Sequence, residues 1–297
     1  MNRGDFLRIV EIRTKVVSVS SFLIGTTYAA AGGYGLSWPL AVLMLAAVIL
    51  VDMGTTGFNS YYDYIHGVDT PASNLDGDKV LLRGEVRPRV ALAVSAGCFL
   101  LAAALGLLIA RQVGGWIIGV GALGMAVGYL YSGGPCPLSR SPIGELLAGG
   151  FLGGLLVTLS FMVQSGSLTA GGLAVGLPST AMIASILTVN NTCDLEGDRR
   201  GGRRTLSILI GTRRSEWVIY SLGALAYLLA FALVVTGVLP WLASLPLALA
   251  AALSVAEYRR MHRRGFSHLT KGPSMASISK VFLGFTAAMA IGLASAF

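Results

Sequence analysis

The stretch WPLAVLMLAAVILVDMGTTGFNSYYDYIHGVD, Trp38–Asp69, decides the fold. From Trp38 to Phe58 it is apolar over about the 20 residues that a membrane-spanning helix requires, with Asp52 its one acid. It then closes on an amide and two acids, Asn59, Asp63 and Asp69. A second apolar run closes the same way, on NNTCDLEGD, Asn190–Asp198. Chains devoted to lipid place such groups at helix ends for a reason, since ionisable residues in membrane segments are costly and default to function.

Composition agrees with a membrane solvent. Of 297 residues, 54% are hydrophobic and 12% charged, and the mean hydropathy is +0.72, far from the balance of a soluble domain. Apolar runs of spanning length recur throughout, predicting one all-α, polytopic membrane domain. Nine spans are expected, at 15–32, 38–58, 90–110, 115–132, 143–163, 171–190, 216–235, 240–257 and 275–296. The opening segment, polar and acid-bearing before its apolar run, reads as a retained first span rather than a signal peptide. Glycines inside spans, as at Gly149, Gly150, Gly153 and Gly154, let helices approach closely. Cys98, Cys136 and Cys193 form no CxxC pair and are expected to be packing residues.

Charge orients the spans. With a cytoplasmic amino terminus, 21 of the 22 lysines and arginines fall in inner segments and Arg111 alone falls outside, the partition that positive-inside insertion produces. The formal charge of +8 is thereby assigned to one membrane face, where anionic headgroups attract it; nucleic acid has no place in this reading. The N-x3-D spacing of Asn59 and Asp63 recurs in Asn190 and Asp194, each ending a span and each followed by a basic loop. Two four-helix halves, about 15–132 and 143–257, plus a ninth helix would account for the echo.

Residues four apart on a helix share a stripe, so Asn59 with Asp63, and Asn190 with Asp194 and Asp198, line up oxygen atoms. Asp52 falls on the first stripe, deeper in the membrane; it could be a base or a buried polar staple between helices. One such motif alone could cap a helix, but two at matching positions point to function. An oxygen donor set lacking His and Cys suits magnesium. Separated carboxylates could each hold an ion and clamp a diphosphate, with Lys79, Arg83, Arg199 and Arg203 contacting its oxygens. Tyr61, Tyr62, Tyr129 and Tyr131 could steady a cation by their ring faces or anchor at the interface.

The strings NSYYDYIHGVDTP, YSGGPCPLSRSPIGE and NNTCDLEGDRRGGRRTLSILIG resemble the UbiA superfamily of intramembrane prenyltransferases, and within it the branch acting on 1,4-dihydroxy-2-naphthoate in menaquinone synthesis. The resemblance implies helices around a central cavity in the cell membrane, the acidic motifs at its cytoplasmic mouth, and transfer of a polyprenyl group from its diphosphate to an aromatic acceptor with loss of carbon dioxide. It assigns the diphosphate and Mg2+ roles to Asn59, Asp63, Asp69, Asn190, Asp194 and Asp198. Ser60 stands where many members have Asp, and Arg203 where Lys is frequent. Other acceptors (4-hydroxybenzoate, homogentisate, a haem or chlorophyll precursor, a glycerol phosphate lipid) fit the superfamily equally, and a cation-coupled transporter is the rival from another class.

Overall fold

The computed structural model describes residues 2–69 and 79–295. Among them the regular structure is entirely helical: α1 Arg3–Ile9, α2 Val16–Ala31, α3 Trp38–Ile65, α4 Pro88–Val113, α5 Trp116–Ser132, α6 Gly144–Ser165, α7 Ala170–Cys193, α8 Leu195–Arg200, α9 Leu206–Ile210, α10 Thr212–Val235, α11 Ser244–Arg264 and α12 Lys271–Ala294. Seven segments, of 22 to 28 residues when the short turns Trp241–Ala243 and His268–Thr270 are counted with α11 and α12, are long and apolar enough to cross a membrane. The other two predicted spans coincide with the shorter α2, of 16 residues, and α5, of 17. The chain is a multi-pass membrane protein. The last predicted residue of the ninth span, 296, lies outside the described residues.

The helices outrun their apolar stretches at the ends predicted to be inner. α3 continues from 58 to Ile65, α7 from 190 to Cys193 and α11 from 257 to Arg264, while α10 and α12 begin at Thr212 and Lys271, four residues ahead of expectation. Hydropathy measures hydrocarbon thickness, whereas a helix satisfies its own backbone and need not stop at the headgroups. The extension of α3 places Asn59 and Asp63 on helix rather than loop. It ends where Gly67, at φ +67, enters the left-handed region, and the amides of Val68 and Asp69 turn back onto the carbonyl of Asp63.

The chain divides into two compact units. The first comprises the residues up to Val19, Val42–Ser141 and Gly197–Arg204. Its buried cluster joins Ile9 and Val10 of the amino-terminal segment to Met53 of α3, Ala91 and Cys98 of α4, and Val80, Leu81 and Val86. Asn2 caps α1 through a reciprocal bond pair with Asp5, and Thr56 of α3 donates to the carbonyl of Val10 at 2.8 Å. The amino terminus is thereby fastened to the helix that bears the first motif.

The second unit comprises Ser20–Ala41, Pro142–Glu196 and the chain from Thr205 on. Its centre is α7, the most buried of the seven spans. The hydroxyls of Thr188 and Thr192 bond the carbonyls one turn back, at 2.8 and 2.5 Å, and Ser185 bonds that of Ile219 on α10, so polar residues cost little in this interior. The glycines of α6 face α7 as the sequence suggests, within a π-helical stretch Gly149–Leu155. A Cβ on Gly149 would lie 2.4 Å from the carbonyl oxygen of Thr180, and one on Gly153 would lie 2.5 Å from its amide nitrogen; a Cβ on Gly150 would meet nothing. Gly150 is the exception to the close-approach reading. Cys98 and Cys193 are buried packing residues, and Cys136, against expectation, is exposed.

Overpacking at a backbone contact typically costs about 1–3 kcal/mol. Gly149→Ala and Gly153→Ala are therefore expected to lower thermal stability in detergent by that amount, with Gly150→Ala unchanged; equal melting curves for all three would refute the packing.

Candidate active site

In the first unit the two motifs share one guanidinium. Asp63, near the end of α3, accepts from Arg203 Nη2 at 2.8 Å through both carboxylate oxygens. Arg203 Nη1 lies 3.3 Å from Asp198 Oδ1, and the Arg203 amide closes a turn on the carbonyl of Asp198. All three side chains are nearly buried, at 8–11% exposure. Burial on its own would pull the Arg203 pKa down, but the charges of Asp63 and Asp198 outweigh it and hold it above the usual value. Arg203 Nε is buried and bonds to no described residue.

Beside this cluster Lys79 Nζ lies 3.3 Å from Asp69 and 3.4 Å from Glu11. Burial again opposes its charge, and Glu11, Asp69 and Asp63 together raise its pKa. Asn59 accepts from Ser132 Oγ at 2.7 Å. The Ser60 hydroxyl turns away, onto the carbonyl of Ile9. Tyr62 and Tyr129 meet hydroxyl to hydroxyl at 2.7 Å, and Tyr129 stands edge-on to Phe58, which stands edge-on to Phe99. Tyr61 packs edge-on against Tyr62 and His66 stacks on it. Tyr131 adds to the electrostatic surroundings of Arg203. The result is an aromatic wall adjoining the buried charges.

In the second unit Asp194 caps α7, its amide bonded to the carbonyl of Asn190 one turn earlier. Asn190 is half-buried. Lys271 Nζ donates to Asp194 Oδ2 at 2.6 Å, and His268 Nδ1 lies 3.6 Å from Oδ1. Sequence reasoning missed both partners. They open the ninth span, where basic residues are indistinguishable from ordinary positive-inside charge. It missed Glu145 as well, a buried acid that accepts from the Asn191 side chain at 2.8 Å.

Two further predicted phosphate contacts lie at exposed positions. Arg83 is half exposed and pairs with Glu85 at 3.8 Å; it follows a short run of turns on the surface side of Lys79. Arg199 is exposed on the last turn of α8. Asp52 resolves toward the staple. Lys15 Nζ donates to its Oδ1 at 2.5 Å and Ser18 Oγ to its Oδ2 at 2.6 Å, so both oxygens are engaged.

Among the described residues no three His, Cys, Asp or Glu groups assemble into a metal cage. Magnesium does not demand one: it takes one or two carboxylates and fills its shell with water and phosphate oxygens. Asp63, Asp69, Asp194 and Asp198 each stand beside a basic group, and such groups can turn to phosphate when a cation takes the carboxylate. The donor set fits the ion.

A multi-pass membrane chain thus carries paired carboxylates and cations near its helix ends, Asp63 and Asp198 with Arg203 in one unit and Asp194 with Lys271 in the other. Residues 18–271 match the UbiA prenyltransferase family, and the chain belongs to that family. It is 34% identical over 204 residues to the 1,4-dihydroxy-2-naphthoate octaprenyltransferase of Bacillus subtilis (strain 168), covering 68% of this chain and 65% of that one, just under two thirds of the relative's length. It is 32% identical over 242 residues to the enzyme of the same name from Mycobacterium tuberculosis, covering 77% and 79%. The fold matches the apo structure of a UbiA homolog from Aeropyrum pernix K1 with a TM-score of 0.70 at 21% identity, over 90% of this chain and 96% of that one. It also matches a UbiA homolog from Archaeoglobus fulgidus bound to GPP and Mg2+, with a TM-score of 0.64 at 19% identity, over 98% and 99%.

Removing one partner of a buried ion pair costs about 3–5 kcal/mol. Asp52→Asn is expected to lose stability on that scale while each folded molecule keeps its full turnover. A fall in turnover per folded molecule would restore Asp52 to the chemistry.

Proposed function

We propose that this chain transfers a polyprenyl group from its diphosphate to 1,4-dihydroxy-2-naphthoate, with release of carbon dioxide, on the cytoplasmic side of the cell membrane. The acceptor follows the names of the two relatives above, and the sidedness follows the distribution of lysine and arginine. The observation that carries the reading is the Asp63–Arg203–Asp198 cluster. A nearly buried guanidinium with one N–H still unbonded to any described residue is poised for a further oxygen, and phosphate oxygens suit it.

In this reading Arg203 and Lys79 bond the diphosphate oxygens and neutralise the charge that grows as the allylic carbon–oxygen bond breaks. Asp63, Asp69, Asp194 and Asp198 would hold Mg2+, which when bound supplies Lewis-acid stabilisation of the leaving diphosphate. Asn59, its amide oxygen occupied by Ser132, keeps its NH2 for an anionic oxygen. Asn190, one turn before Asp194, is assigned the same diphosphate contact. Tyr62, Tyr129 and Tyr131 offer ring faces to the allyl cation, an attraction of about 0.5–2 kcal/mol each, and the apolar helices keep water from quenching it. The naphthoate ring carbon then forms the new bond, and the carboxylate leaves as carbon dioxide to restore aromaticity.

Two outcomes are expected. Asp63→Asn and Asp194→Asn each abolish transfer in folded, extractable protein, as does chelation of magnesium, reversed on its return; wild-type turnover in either variant would contradict the assignment. Purified protein given magnesium, a prenyl diphosphate and dihydroxynaphthoate yields a product whose mass shows coupling and loss of one carbon dioxide. Product from 4-hydroxybenzoate and none from dihydroxynaphthoate would move the chain to another acceptor.

A further inference from the structure

The residues that open α12 are absorbed by no role above. Lys271 is its first residue and holds Asp194 Oδ2 at 2.6 Å. Thr270, in the capping position, makes no side-chain bond to the helix amides; its hydroxyl goes instead to the carbonyls of Gly265 and Ser267. The short turn His268–Thr270 leads straight into the helix under a capping box from Ser267, and the Lys271 amide donates to the carbonyl of His268, so the backbone at the helix start is answered and the side chains are what remain. His268 adds a second observation. Its Nδ1 faces Asp194, whereas its Nε2 is buried and has no hydrogen-bond partner among the described residues. Buried polar atoms are seldom left so. Lys271, Asp194 and His268 are 19–31% exposed, so a ligand can reach them.

A cation beside an unsatisfied imidazole nitrogen makes a site for a phosphate group. We propose that Lys271 and His268 form an additional diphosphate-binding element, in which Lys271 exchanges Asp194 for a phosphate oxygen as that carboxylate turns to a divalent cation. The inference rests on the prenyl diphosphate reading and deepens it. The phosphate-bearing ligand could equally be an anionic lipid headgroup, and the test separates the two.

The experiment is equilibrium binding of geranyl S-thiolodiphosphate, which resists ionisation, with magnesium, to protein in nanodiscs of zwitterionic or of phosphatidylglycerol-rich lipid. Losing a charge-assisted bond weakens binding about tenfold to a hundredfold. Lys271→Met is expected to show that loss in both lipids and Lys271→Arg to stay within a few-fold of wild type. His268→Ala should lose affinity by a smaller factor, and Lys280→Met, an exposed lysine farther along the same helix, should lose none. Inorganic pyrophosphate should compete for wild type more strongly than for Lys271→Met. Wild-type affinity in Lys271→Met overturns the proposal, as does a loss seen in phosphatidylglycerol alone. Failure of the wild type itself to bind the analogue would overturn the functional reading, and this inference with it. Melting curves for each variant separate lost binding from lost fold.

Discussion

A buried charge must be answered, and that constraint organises the polar half of this protein. Arg203 cannot sit among nearly buried side chains unless carboxylates surround it, and Asp63, 140 residues earlier in the chain, cannot sit there without Arg203. The pair therefore ties the end of α3 to the segment after α8 more firmly than a surface bridge could, because separating them strands both charges in a poor dielectric. Lys79 with Asp69 and Glu11 repeats the arrangement close by. The first motif is held in place by the basic groups with which it would share a ligand.

Such pairing also answers an electrostatic problem. Four aspartates would repel a diphosphate, and unpaired arginines and lysines would make an indiscriminate anion sink. Paired, they present little net charge, and on the proposed function a metal-bound anion would bring both signs at once. Cations would then turn to phosphate and carboxylates to metal, leaving the buried charges balanced. A lone metal ion or a lone phosphate would leave half the groups unanswered, which on that proposal would give the arrangement selectivity for the complex of the two.

What the sequence made legible follows from range. Hydropathy reports on about 20 neighbouring residues, so the spans and the stripe of Asn59 and Asp63 could be read directly. The inner extension of α11 from 257 to Arg264 could not, because there the helix continues on backbone bonds after the apolar signal ends. Pairings between distant residues were beyond reach for another reason: Lys15 with Asp52, and Lys271 with Asp194, lie 37 and 77 residues apart, and no spacing rule links them. Arg83 shows the converse. It has the right type and a plausible position, yet its partner is its near neighbour Glu85.

The Lys15–Asp52 pair shows how far the same constraint reaches into the apolar part of the chain. Its two side chains, 5% and 11% exposed, join the start of α2 to the middle of α3. Replacing such a pair with well-packed apolar residues is often neutral or stabilising, so stability alone does not explain it. Direction does: Lys15 also bonds the Thr56 hydroxyl and the backbone oxygen of Asp52, fixing both the rotation and the height of α3. A helix held only by hydrocarbon contacts could slide or turn at small cost, and a shift of one residue would swing Asn59 and Asp63 about 100° around the axis. The ion pair removes that freedom, so that the carboxylate about three turns farther along α3 meets Arg203 each time the protein folds.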